Sequence, residues 1–240
     1  MSKREMLNNI GHKNLKIITK KSALYGDNVG GALIFPSEFS DVQREYPIFF
    51  QKDVQTGDFQ AVAIFGFKEN ENLFLDEQGW NAHYIPAVIT REPFLIGFQR
   101  DQDGAGTTPV IHVDLESPRI SRGDEGEPVF LEQGGNTPYI ENISRVLMSI
   151  HEGLAVSKDM FSAFLSLDLI EPFVLDIEFN NEIKYQSSAY YTINQEKFFS
   201  LDDAALGQLH KAGYLHFAYM VLASLGNIRK LIAMSNKRMQ

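Results

Sequence analysis

The chain has 240 residues, 44% hydrophobic and 22% charged, the balance of a globular protein able to bury a sizeable core. It contains no cysteine, which excludes disulfides, thiolate nucleophiles and cysteine-ligated zinc or iron–sulfur centres. A formal charge of -9 provides no broad basic face for phosphate backbones, so nucleic acid is not expected as a partner.

The N-terminal stretch is basic, with Lys3, Arg4, Lys13, Lys16, Lys20 and Lys21, but Asn8, Asn9, Gly11 and His12 interrupt it before Leu15. No secretory signal is therefore expected, and a cytoplasmic location follows as the expectation. No run approaches the roughly 20 apolar residues of a membrane span. The longest stretch, Tyr214 to Met234, is broken by His216, Ser224, Gly226, Asn227, Arg229 and Lys230 and reads as a core helix, so no transmembrane segment is expected.

From Leu33 to Phe98 the apolar runs are short, rich in β-branched and aromatic residues, and separated by Gly, Pro, Asn and Asp, which predicts strands. Ile48-Phe49-Phe50 and Phe59 to Phe67 flank a hairpin connection in which Gly57 takes the tight-turn position, and Lys68 to Asn72 forms a second turn. Links this short predict an antiparallel meander. A Gly/Asp/Thr-rich loop from Arg100 to Thr108 precedes a strand over Val110 to Val113, a second polar loop runs from Ser121 to Glu127, and Val129-Phe130-Leu131 could add an edge strand.

At Thr137 the period changes. Thr137 as N-cap and Pro138 as first helical residue open a helix with Ile140, Ile143, Leu147 and Ile150 on one face, ending at Gly153. Ser157 opens a second helix, with Met160, Phe161, Phe164 and Leu165, that reaches Leu169-Ile170 and stops at Pro172. Phe173 to Phe179 and Ile183 to Ile193, turned at Asn180-Asn181, form a hairpin. Asp202 caps a helix that Gly213 terminates, and a last helix starts near Tyr214.

The fold class is α+β: a strand-rich antiparallel N-terminal half packed with a helix-rich C-terminal half containing one hairpin. One domain over 1–240 is expected, strand-rich over 22–135 and helix-rich over 136–240.

The order of motifs resembles the bacterial SapC family, named after a surface-layer-associated gene product. The front half carries Tyr46-Pro47-Ile48, Phe65-Gly66-Phe67, Asn72-Leu73-Phe74, Gly79-Trp80, Tyr84-Ile85-Pro86 and Pro93-Phe94. Ser117-Pro118-Arg119, Gly126-Glu127-Pro128-Val129-Phe130, Thr137-Pro138-Tyr139 and Leu169 to Phe173 continue it, and Tyr191 to Asn194, Leu209 to Leu215 and Ala223-Ser224-Leu225 complete it. The resemblance implies an association with bacterial surface layers and with loci that encode outer-membrane uptake receptors, cupin-type oxygenase-like and flavin-dependent halogenase-like proteins. It implies no established catalytic motif. A surface-layer assembly component is one reading; a cytoplasmic accessory or binding protein is the preferred one.

Two residue sets could carry chemistry. Trp80 and Tyr84 with Arg91 and Arg119 could stack an aromatic group and pair with a carboxylate, which suits a peptide, a protein partner or a small aromatic ligand. Equally, Trp80 and Tyr84 could plug the core beneath a turn. His112-x-Asp114 on a strand would direct both side chains to one face, as in non-haem iron oxygenases, with His151, His210 or His216 as a third ligand. An aspartate two places from one of six histidines is also close to chance. His210 and His216, split by Gly213, lack the spacing of a helical metal pair. There is no nucleophile elbow, P-loop or dinucleotide fingerprint, and Gly104 to Thr108 lies before a strand, not a helix. Binding without a cofactor or metal is expected ahead of catalysis.

Overall fold

A computed structural model describes residues 3–100, 106–180 and 183–239. The strands before the long helix are β1 (Arg4–Met6), β2 (Lys16–Ile17), β3 (Gly31–Ile34), β4 (Ile48–Lys52), β5 (Phe59–Ile64), β6 (Leu75–Asp76), β7 (Gly79–Trp80), β8 (Phe94–Arg100), β9 (Thr107–Asp114) and β10 (Glu127–Pro128). Short helices α1 (Phe39–Val42) and α2 (Ala87–Thr90) interrupt them. After α3 (Pro138–Ser166) come β11 (Ile170–Glu178), β12 (Lys184–Ile193), α4 (Gln195–Phe199), α5 (Asp203–Ala212), α6 (Leu215–Ser224) and α7 (Asn227–Arg238). The pairings are antiparallel and the helices gather towards the C-terminus, so the class is α+β. Gly104, Ala105 and Asn181, on which part of the expected loop and turn rest, lie outside the described residues.

The chain forms two compact units, each drawing on both halves of the sequence. The first combines the chain up to Asp27 with Leu75–Trp80 and Ala87–Glu152; the second combines Asn28–Phe74, Asn81–Pro86 and the chain from Gly153 onward.

In the first unit β1, β9 and β8 form a three-stranded sheet in that order, and β2 pairs with β10. Phe94 and Val113 from the sheet meet Ile140, Ile143 and Leu147 in one buried cluster, with Ile17, Val129 and Phe130. The predicted helix face is thus the one that packs. Thr137 Oγ1 accepts from the Ile140 amide, satisfying one of the first-turn donors as the N-cap reading requires. The expected strand over Val129–Leu131 reduces to β10, just before it, and a single bridge between Phe130 and Asn136.

In the second unit the sheet order is β11-β12-β4-β5-β3. β3 lies beside β5 and not β4, so the expected meander is not formed. The connection after β3 is long enough, with a 3-10 turn at Pro36–Glu38 and then α1, to carry the chain to the far side of β5. The C-terminal hairpin joins the same sheet through Tyr191 opposite Phe50. Alternation puts Phe50 on one face, against Phe161 and Phe164 of α3, and Phe49 on the other, against Phe173 and Tyr190.

Two helix boundaries differ from the sequence reading. Gly153 does not end a helix: α3 runs through it, and a Cβ there would come within 2.6 Å of the Phe35 Cβ, so the glycine permits close packing. The helix ends at Ser166, and Pro172 lies within the edge strand β11, where no outward amide is needed. Downstream, Asp202 Oδ1 caps α5 through the Ala205 amide, and Gly213 closes it as expected. By length and composition alone Leu215–Arg238 passes for a membrane span, but it is divided into α6 and α7, carries Arg229 and Lys230, and is not a clear one.

Candidate functional site

Across β3 and β5 in the second unit lies a groove of about 500 Å³. Its floor is set by strand alternation. Gly31 and Leu33 of β3 oppose Ile64 and Val62 of β5, and all four side-chain positions share one face. Tyr185 and Tyr190 of β12 and Phe67 form aromatic walls, Gln51 adds an amide, and Lys68 and Glu69 sit at the rim.

The groove depends on backbone standing close to backbone. The Gly30 amide donates to the Glu69 carbonyl at 2.7 Å, while the Gly30 carbonyl accepts from the Phe65 and Gly66 amides. A Cβ on Gly30 would collide with the Lys68 carbonyl, and one on Gly66 with the Glu71 carbonyl. The two glycines therefore let the 65–71 turn fold against the start of β3. Phe67 is buried between Phe179 and Tyr185, at ring separations of 5.3 and 5.4 Å. Burial, then the adjacent Tyr185 to which it is hydrogen-bonded, pushes the Tyr190 phenol up to about 12. At neutral pH Tyr190 is thus an uncharged donor on an apolar wall, suited to holding a ligand and not to acting as a base.

The four residues singled out by sequence are divided between the units, with Trp80, Arg91 and Arg119 in the first and Tyr84 in the second. Trp80 is half-buried on β7, opposite Leu75. Arg91 Nη1 donates to the Phe94 carbonyl at 2.6 Å and Nη2 lies 3.2 Å from Glu92, so its guanidinium braces its own turn. Arg119 is 2% exposed and ion-paired with Asp27, itself 2% exposed, with Nη1 also donating to the Ile18 and Lys20 carbonyls. Lys21 stands 3.7 Å from Asp27 and donates to the Ile89 carbonyl. Burial first, then the nearby Arg119 charge, brings its ammonium down to about 8, against an opposing pull from Asp27. The Tyr84 hydroxyl donates to Glu38 Oε1 at 2.7 Å, and burial with the Glu38 carboxylate raises the phenol well above its usual range. Its carbonyl accepts from Tyr46.

The surroundings of His112 and Asp114 do not favour a metal centre. Among the described residues no group of three or more His, Asp or Glu side chains could hold an ion. His112 lies opposite Leu95 and Met6, and its ring occupies the space beside Gly97, where an added Cβ would lie 2.7 Å from the imidazole. Asp114 Oδ1 accepts from the Glu116 amide and turns the chain out of β9. His112 is thereby explained as a packing residue over a strand glycine.

Sequence reasoning passed over Tyr185, Tyr190 and the Gly30-Gly31 pair. The available signals were Tyr185 within the otherwise polar start of the strand, Lys184-Tyr185-Gln186-Ser187-Ser188, with Tyr190 following it, and paired glycines opening an apolar strand, which mark close backbone approach.

No curated protein and no solved structure matches the chain. The SapC family model matches residues 7–231 of the 240, end to end across both units, and the chain belongs to the SapC family.

Proposed function

We propose that this SapC-family chain is a non-catalytic accessory protein that binds a peptide or a small aromatic ligand in the groove between β3, β5 and the tyrosines of β12. The observation that carries the reading is the groove's lining: Phe67, Tyr185 and Tyr190 for an apolar or aromatic group, and Gln51 for a polar one. Tyr190 is protonated at neutral pH, and the charged Lys68 and Glu69 sit at the rim and not among the apolar and aromatic side chains of the floor and walls, which favours recognition over turnover. A cytoplasmic setting belongs to the same reading as an expectation of the sequence, and a partner from an envelope or uptake locus as an implication of the family resemblance.

Saturation-transfer NMR with N-acetyl-phenylalaninamide, and N-acetyl-glutamate as the control, tests it. Wild type is expected to transfer to the phenyl protons and not to the glutamate. Tyr185→Ser should weaken the phenyl probe by roughly fivefold, about the loss of one aromatic contact. Equal transfer in the variant, or none in wild type, would remove the groove as the site.

A further inference from the structure

We infer that the partner of this groove is an extended polypeptide that adds itself to the sheet as a strand alongside β3, an inference that rests on the groove being the binding site. The Phe65 amide donates to the Gly30 carbonyl, and the Ile64 amide to Pro47 on the opposite side of β5. Antiparallel ladders alternate, so with Gly30 facing β5, Ala32 and Ile34 face it too. Gly31 and Leu33 then turn their N–H and C=O groups to the outer side of the edge strand, where no strand among the described residues pairs. Two donors and two acceptors alternating at strand spacing match another strand's backbone and little else.

The two edges of this sheet differ in the way that matters. β11 carries Pro172, a register shift between Phe173 and Leu175, and the acidic side chains Glu171, Asp176 and Glu178. These are the devices by which an edge is made unattractive to a further strand. β3 is Gly31-Ala32-Leu33-Ile34, with no charge and no proline, and Leu33 is 40% exposed. An incoming strand would place alternate side chains on the groove face, beside Gly31 and Leu33 at its open side, so it carries apolar or aromatic residues at every second position.

Short random peptides displayed on phage and selected against the full chain provide the probe, and the selected peptides are then synthesised. They are expected to alternate apolar with polar residues, and N-methylation of alternate amides should weaken binding by roughly tenfold or more. Leu33→Pro removes an outward donor that β5 does not use and should act likewise, whereas Val174→Pro on the other edge should not. Because Leu33→Pro could perturb folding, hydrogen exchange in wild type gives a second readout: the peptide should slow the Gly31 and Leu33 amides. Strand addition is overturned if no peptide is enriched, if N-methylation is tolerated, if those amides are unaffected, or if the only strand found on β3 is that of a second copy of the chain. When peptides fail but N-acetyl-phenylalaninamide still binds, the groove reading stands and strand addition alone falls. When neither binds, both fall.

Discussion

Two cations share one carboxylate where Lys21 and Arg119 meet Asp27. The ionic hydrogen bond between Arg119 and Asp27 offsets the cost of removing both from water, but Lys21 adds a charge that nothing nearby fully balances. Its folded pKa of about 8 lies below the ordinary 10.5. Between those values the unfolded chain binds more protons than the folded one, so stability rises with pH across the window; below about 8 the full cost of the buried charge is present. Lys21→Met should therefore be about 1 kcal/mol more stable than wild type at neutral pH, and the gap should close as pH rises towards 10.5. Urea denaturation of both proteins over a pH series checks this. A variant that is less stable at pH 7, with the wild-type slope intact, would show that Lys21 contributes more as a bridge to Asp27 and Ile89 than it costs as a charge. Nothing in the sequence marks Arg119 as a core residue, since its partner lies 92 positions away. An arginine beside a motif reads as available until its carboxylate is found.

At the scale of elements, polar side chains on the C-terminal helices hold the sheet of the second unit. Ser224 on α6 is fully buried and accepts the Ile48 amide at 2.8 Å, just where β4 extends beyond its single register pair with β12. Asn227, opening α7, donates to the Gln43 and Tyr46 carbonyls. Ser224→Ala leaves the Ile48 amide buried without an acceptor and should cost about 1–3 kcal/mol, measured by chemical denaturation. A loss within error of zero would mean that water reaches that amide. Such long-range bonds also explain which boundaries were legible. Thr137, Pro138, Asp202 and Gly213 act within one turn of themselves, so the helix ends they set are legible in the sequence. Gly153 answers to Phe35, over a hundred positions away, so a rule that treats glycine as a local stop fails there. His112-x-Asp114 has the spacing of ligands, yet among the described residues no third member joins them, and the imidazole occupies the space beside Gly97.

For the whole molecule, the strand-rich and helix-rich stretches of sequence do not correspond to separate structural pieces. The five-stranded sheet needs β11 and β12 from the C-terminal half, and Phe49 is buried with its ring 5.1 Å from Phe173 and 5.0 Å from Tyr190. A fragment of residues 22–135 would expose Phe49 and also lose the Phe161 and Phe164 contacts of Phe50. It should collapse without a unique fold and give a poorly dispersed proton–nitrogen NMR spectrum. Sharp, dispersed signals from that fragment would instead establish that β3, β4 and β5 are self-sufficient. Alternation and turn residues made the strands legible, whereas the pairing of Tyr191 with Phe50 has no local signature. The groove inherits that limitation, because Tyr185 and Tyr190 meet β3 only after the hairpin has joined the sheet.

Trp80 is the one tryptophan of the chain, and it belongs to the first unit. Indole emission is therefore a spectroscopic reporter placed on one unit alone. A melting curve read from it follows the surroundings of β7, whereas the five-stranded sheet and its groove are reported by tyrosine and by the amide backbone. Two optical probes that give different midpoints would thus reveal units that unfold separately, and an engineered indole beside the groove would supply the signal the native sequence lacks there.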